Sequence, residues 1–291
     1  MSVNPVRVLL NTIAVLLAAL ALAVSGVAES RESAGPYRVG LTPVFLDNQT
    51  SFLRDWEEYL ERHLDHPVDF LQRQTYREIT ELLLTGQLDA AWICGYPFVR
   101  HRDALRLLAV PLFEGEPLYR SYLIVPAADV ETRSVADLKG RVFAYSDPDS
   151  NSGFLVPRVE LRRQGYDPRR FFARTFFTWS HRDVVSAVAD GVAQAGAVDG
   201  YVWETLSHTH PELTGATRVA WTSQPFGFPP LVARADLDRE RFRRLQGVLL
   251  EMPADPEGRR LLQRLNLDGF SPGEEGLFAG IAAAMDRFGE E

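Results

Sequence analysis

Short apolar runs alternate with amphipathic stretches along most of the chain. Runs with strand character occur at YRVGLT (37–42), VDFLQ (68–72), AAWI (90–93), LLAVPLF (107–113), SYLIV (121–125), RVFAY (141–145), AGAVD (195–199), RVAWT (218–222) and PPLVAR (229–234). Between many of them the spacing turns helical. In 52–64, Phe52, Leu53, Trp56, Tyr59, Leu60, His63 and Leu64 recur at helical intervals and form one apolar stripe. REITELLLTG (77–86) reads as a second helix closed by a glycine. Residues 181–190 read as a third, with Val184, Val185 and Val188 turned inward. The C-terminal third holds DRERFRRLQGVLLEM, EGRRLLQRL and GLFAGIAAAMDRF, all helical in pattern. Strands alternating with helices predict an α/β fold with mainly parallel sheets.

Two polar breaks bearing Gly and Pro interrupt this alternation, FEGEPLYRS (113–121) and HTHPELTGATR (208–218). They predict a first lobe from 36–118 plus 213–291 and an inserted second lobe from 119–212. A chain that crosses twice between lobes makes a hinged clamshell. Ligand sites in open α/β sheets lie at the carboxyl ends of strands.

The first 28 residues do not fit this pattern. Arg7 is followed by LLNTIAVLLAALALAV and then by small residues, the layout of an export signal ending at Ala28. An uncleaved anchor is the alternative, because the apolar run approaches the length of a membrane span. Either reading places the remainder outside the cytoplasm, and a periplasmic location is expected. The formal charge of −8 argues against nucleic acid and anionic membranes as main partners. The single cysteine, Cys94, cannot form an intramolecular disulfide. No Walker-type loop, GxSxG, HExxH or CxxC occurs, and no cofactor is expected. His208 and His210 lie two apart in a loop, weak grounds for a metal site.

The candidate chemistry lies in SDPDSNSGFLVPRVEL (146–161), where a strand hands over to a helix. Helix starts carry unsatisfied N–H groups and partial positive charge. Ser150, Asn151 and Ser152 add side-chain donors, and Gly153 lets an anion approach the backbone. The same residues are also ordinary helix caps, so the stretch alone leaves both readings open. SHRD at 180–183 is similarly a cap or a donor site at His181, and Asp199 a helix cap or the polar floor of a cleft.

Taken together, four segments resemble periplasmic solute-binding proteins of the phosphate/phosphite/phosphonate ABC transport family. They are YRVGLTP, LLLTGQLDAAWICGYPFV (82–99), SVADLKGRVFAYSDPDSNSGFLVP (134–157) and SHRDVVSAVADGVAQAGAVDGYVWE (180–204), in the family's order. The resemblance implies a type II periplasmic-binding-protein clamshell that closes on an oxyanion and delivers it to a membrane transporter, acting as a monomer without turnover. It implies that Ser150, Asn151 and Ser152 grip the anion's oxygens and that His181 donates towards it, and it puts Tyr96 near the family's ligand-facing tyrosine of the first lobe. Asn151 stands where a Thr is common. Tyr201 falls where phosphonate binders can have an acidic residue that holds an amino group, which puts an aminoalkyl ligand in doubt.

Cys94, at the carboxyl end of AAWI, departs from the family's usual Gly/Pro/Ser-type turn. Three readings stand open. It is a small buried hydrophobe; or a thiolate ligand for trivalent arsenic, as in arsenite-binding relatives that feed the periplasmic sensor domain of a histidine kinase; or the nucleophile of a clamshell that became an enzyme.

Overall fold

The structure, a computed structural model, describes residues 35–43 and 50–288. The segment read as an export signal, 1–28, lies outside the described residues. From Tyr37 onward the chain forms one compact unit built on two sheets.

The first sheet uses β1 (Tyr37–Leu41), β2 (Val68–Gln72), β3 (Ala90–Trp92), β4 (Leu105–Leu112), β12 (Leu231–Arg234) and β13 (Gly269–Ser271), in the order β13-β4-β12-β3-β1-β2. The second uses β6 (Ser121–Pro126), β7 (Val142–Tyr145), β8 (Arg174–Phe177), β9 (Ala195–Asp199) and β10 (Thr217–Thr222), in the order β10-β6-β9-β7-β8. A small antiparallel ribbon joins β5 (Leu118–Tyr119) to β11 (Phe226–Gly227). The helices are α1 (Thr50–Leu64), α2 (Tyr76–Leu84), α3 (Gly95–Arg100), α4 (Val156–Arg163), α5 (Pro168–Phe171), α6 (His181–Ala189), α7 (Gly200–Thr209), α8 (Pro211–Gly215), α9 (Arg239–Glu251), α10 (Pro256–Arg264) and α11 (Ala279–Phe288).

Both sheets are mixed, not mainly parallel. β1 pairs in parallel with β2 and β3, and β7 with β8 and β9. The strands by which the chain enters one sheet from the other, β6 into the second and β12 back into the first, run antiparallel to their neighbours. A strand entering a sheet from the other sheet has no crossover helix to set its direction, so the βαβ rule does not govern it.

The second crossing also differs from the sequence expectation. β10 pairs with β6, so 217–222 belongs to the second sheet although the pattern assigns 213–291 to the first lobe. The polar stretch 208–218 is the end of α7, the short helix α8 and the start of β10. The chain returns through 223–230 instead, the QPFGFPP segment, and β11 within it pairs with β5 of the outgoing crossing.

Burial follows the sequence pattern closely. Phe52, Trp56, Tyr59, Leu60 and Leu64 of α1 are buried, and the helix packs on β2, α9 and α10. Truncating Leu60 to Ala there would cost about 2–5 kcal/mol. β3 is apolar throughout because β1 and β12 flank it on both sides. Val184, Val185 and Val188 of α6 are buried over β9, where a Cβ on Gly196 would lie 2.4 Å from Val184. This contact brings the start of α6, His181, over the end of β9, Asp199.

Candidate functional site

Three strand ends deliver the polar residues. β3 ends at Trp92, and Cys94 forms the N-cap of α3. β7 ends at Tyr145 and opens directly into the SDPDSNSG turn. β9 ends at Asp199, the N-cap of α7, whose side chain accepts from the Tyr201 N–H at 2.9 Å.

The turn does not begin as an ordinary α-helix. Asn151–Leu155 winds as a π-turn, with the Leu155 N–H donating to the Ser150 carbonyl at 3.0 Å. Pro157 has no N–H for the carbonyl of Gly153, and that carbonyl instead accepts from the Ser146 N–H at 3.4 Å. The Ser150 hydroxyl accepts from the Gly153 N–H at 3.0 Å. The Ser121 hydroxyl donates to the Ser152 carbonyl at 2.7 Å. Wide π-turns of this kind recur at functional sites.

Gly153 lies at the closest approach. A Cβ there would sit 1.9 Å from Ser146 Oγ, 2.8 Å from Ser146 Cβ and 3.1 Å from His181 Cε1. Only a residue without a side chain lets the turn, Ser146 and the imidazole meet. His181 Nδ1 accepts from the Asp199 N–H at 3.0 Å. Burial holds the imidazole well below its usual pKa, at about 3. The ring is therefore neutral, with its proton on Nε2.

Two buried polar atoms here lack a partner among the described residues, Ser146 Oγ and Asn151 Oδ1. Leaving such an atom unpaired costs about 1–3 kcal/mol. The Asn151 amide is otherwise fixed: Nδ2 donates to the Tyr119 hydroxyl at 2.9 Å, and the backbone N–H donates to Cys94 Sγ at 3.2 Å.

The same turn is tied to elements of the first sheet. Asp147 accepts from the Tyr76 N–H at 3.1 Å, and Asp149 pairs with Arg100 at 2.8 Å and Arg77 at 3.7 Å. Burial raises Asp199 to about 8, so it is mostly protonated, and raises Asp147 to about 6, where two N–H groups stabilise its charge. Asp149 has its arginines.

The structure thus brings Cys94, Ser150, Asn151, Ser152, Gly153, His181 and Asp199 together. Tyr96 is buried in the first turn of α3, with the Arg100 guanidinium 4.4 Å above its ring. Tyr201 is placed differently from the expectation. Its hydroxyl donates to the Leu265 carbonyl, and its ring is wedged between Phe113 and Phe228. Cys94 points at the turn, yet burial raises its thiol to about 11, against the backbone N–H groups of Asn151 and Tyr96. A protonated thiol is a poor nucleophile at neutral pH, and no cluster of three or more His, Cys, Asp or Glu residues stands among the described residues to hold a metal ion, so neither the enzymatic nor the arsenite reading gains support.

Sequence reasoning missed Tyr76, Tyr119 and Ser146. Tyr76 follows the capping-box residue Thr75, which hid it as an ordinary helix start. Tyr119 lies in a polar break. Ser146 was within the quoted stretch, but only the contact with Gly153 distinguishes it.

Residues 39–276 match the family of periplasmic substrate-binding proteins of phosphonate ABC transporters. The chain belongs to this family. Family members bind a substrate for a transporter and do not turn it over. A probable phosphite-binding protein, PhnD1, of Prochlorococcus marinus is 23% identical, over 76% of this chain and 79% of its own. A phosphate-import protein of Mycolicibacterium smegmatis is 26% identical, over 73% and 72%. The solved structure of PhnD1 with methylphosphonate superposes with a TM-score of 0.78 at 22% identity, covering 86% of this chain and 97% of that one. The fold is that of type II periplasmic binding proteins. Among the described residues no helix is long and apolar enough to cross a membrane.

Proposed function

We propose that this protein captures a phosphorus oxyanion, whether phosphate, phosphite or a phosphonate, and presents it to the permease of an ABC transporter. The observation that carries this reading is the meeting of Ser146 Oγ, which has no partner among the described residues, and neutral His181 at Gly153. An anion bound there takes hydrogen bonds from the His181 Nε2–H and the serine hydroxyl. Charge-assisted hydrogen bonds of this kind are the strong ones, more so in a dry site. Protonated Asp199 adds no opposing charge. Relatives named for phosphite, phosphate and methylphosphonate support the same chemistry.

In this reading the two sheets are the cores of two lobes, and the β5–β11 ribbon is the hinge between them. Closure brings the 146–153 turn against α2 and α3. The bonds of Asp147 to Tyr76, Asp149 to Arg100 and Asn151 to Cys94 then hold the lobes together. The leader 1–28 exports the chain, and the protein acts as a monomer.

Calorimetric titration of the purified protein with phosphate, phosphite and methylphosphonate tests this, with sulfate and arsenite as controls. Saturable binding of at least one phosphorus anion is expected. At about 100 times Kd it would also stabilise the protein by about 2.7 kcal/mol. Binding of arsenite alone, or of none, would refute the proposal.

A further inference from the structure

The second sheet ends on β8, which pairs with β7 alone. The other sheet edges are blunted. At β2, the Glu57 and Glu61 side chains accept from the outward N–H groups of Phe70 and Val68 at 2.8 and 3.1 Å. β10 is broken by a bulge between Val219 and Trp221, and β13 is only three residues long. Such devices keep an edge from pairing with another chain.

β8 has no such cover. Just beyond it, the Thr178 N–H donates to the Tyr145 carbonyl on the β7 side at 2.9 Å. The N–H direction alternates along a strand, so those of Thr175 and Phe177 point away from β7. Among the described residues no hydrogen bond reaches either of them. Arg174 and Thr175 are exposed, and Phe176 and Phe177 half-buried.

Each face beside this edge carries an arginine over an aromatic ring. On one, the Arg174 guanidinium lies 5.9 Å from the Phe176 ring. On the other, the Arg158 guanidinium lies 4.7 Å from the Phe154 ring, which is 5.5 Å from Phe177. The stretch 158–174, which runs from α4 through α5 into β8, holds six arginines against Glu160 and Asp167. That is a net +4 within a chain of −8, and the Arg170 side chain is 90% exposed. A second copy of this chain fits poorly, since pairing two β8 edges would set one basic cluster against another.

We infer that the β8 edge is a docking surface for an extended acidic segment of a partner protein, which adds to the second sheet as a further strand. The backbone of such a segment meets the open N–H and C=O groups of β8, and its carboxylates meet the arginines on both faces. Strand addition of this kind draws affinity from the backbone and selectivity from the side chains that flank it.

The test titrates the full protein against a fluorescent acidic peptide, (Glu-Val)4, by anisotropy, and follows amide hydrogen exchange in β8. The same peptide methylated at every peptide nitrogen, which cannot pair as a strand, and (Lys-Val)4 serve as controls. The acidic peptide is expected to bind saturably and to slow exchange at Thr175 and Phe177 about tenfold or more. Both controls should bind at least about tenfold more weakly. The double variant Arg170→Glu with Arg174→Glu, its folding checked by circular dichroism, should lose about tenfold in affinity for the acidic peptide. No binding of that peptide, or equal binding of its methylated form, would overturn the proposal. So would binding to phosphatidylglycerol vesicles without peptide binding, since the basic stretch would then serve a lipid surface. A double variant that self-associates yet keeps its peptide affinity would also overturn it, since the arginines would then only guard the edge.

Discussion

His181 Nδ1 accepts the backbone N–H of Asp199 at 3.0 Å, and this one bond fixes the tautomer of the imidazole. The proton therefore lies on Nε2, so the ring can donate without carrying charge. Replacing His181 with Ala should weaken oxyanion binding about tenfold to a hundredfold, the range for losing one hydrogen bond to a charged group. His181→Gln restores a side-chain N–H and should recover part of the loss. Calorimetry on the two variants checks this. Equal affinities for the Ala and Gln variants would assign His181 a purely structural role.

Asp199 gives stability a pH dependence of known sign. Burial raises its carboxyl from 3.8 to about 8, so the folded state holds a proton that the unfolded chain releases. The stabilisation is complete below the unfolded value and is lost as pH rises through about 8. His181 acts in the opposite sense, since its depressed value means stability lost as pH falls from 6.5 towards about 3. Asp199→Asn should flatten the fall in Tm between about pH 6 and 8.5. An unchanged profile would contradict the assignment.

Gly153→Ala should disable the site. The new methyl meets Ser146 Oγ at 1.9 Å and Ser146 Cβ at 2.8 Å. Rotating the hydroxyl relieves only the first clash. The variant should lose about 1–3 kcal/mol of stability, as overpacked sites do, together with most of its affinity. Adding Ser146→Gly should restore stability without restoring binding, as denaturant unfolding and calorimetry would show.

Cys94 should behave as a structural acceptor. Its raised pKa and burial predict very slow alkylation by iodoacetamide at neutral pH, and ready alkylation in urea. Cys94→Ser keeps an acceptor for the Asn151 N–H and should keep oxyanion binding. Cys94→Ala leaves that N–H unpaired and should cost about 1–3 kcal/mol. Fast alkylation of the native protein would contradict this account.

Much of the fold was legible because its signals are local. The stripe of α1, the valines of α6 and the apolar run of β3 each declare burial within a few residues. The misread parts depend on partners far away in sequence. β8 is a four-residue edge strand with exposed Arg174 and Thr175, so it carries no apolar alternation. β10 looks the same whichever sheet it joins, and only its pairing with β6 places it. At the site, the Ser/Asn/Gly turn and His181 stood out through composition and position. Tyr119 and Ser146 did not, because their part rests on a hydrogen bond to Asn151 and a contact with Gly153. For Tyr201, sequence position shows where a ring begins and not where its hydroxyl ends, here on Leu265.

The most direct test is a crystal structure of the protein grown with methylphosphonate. The account predicts the phosphonate oxygens within hydrogen-bond distance of His181 Nε2 and of the 146–153 turn. A ligand bound outside that cluster, with Ser146 and His181 untouched, would contradict it.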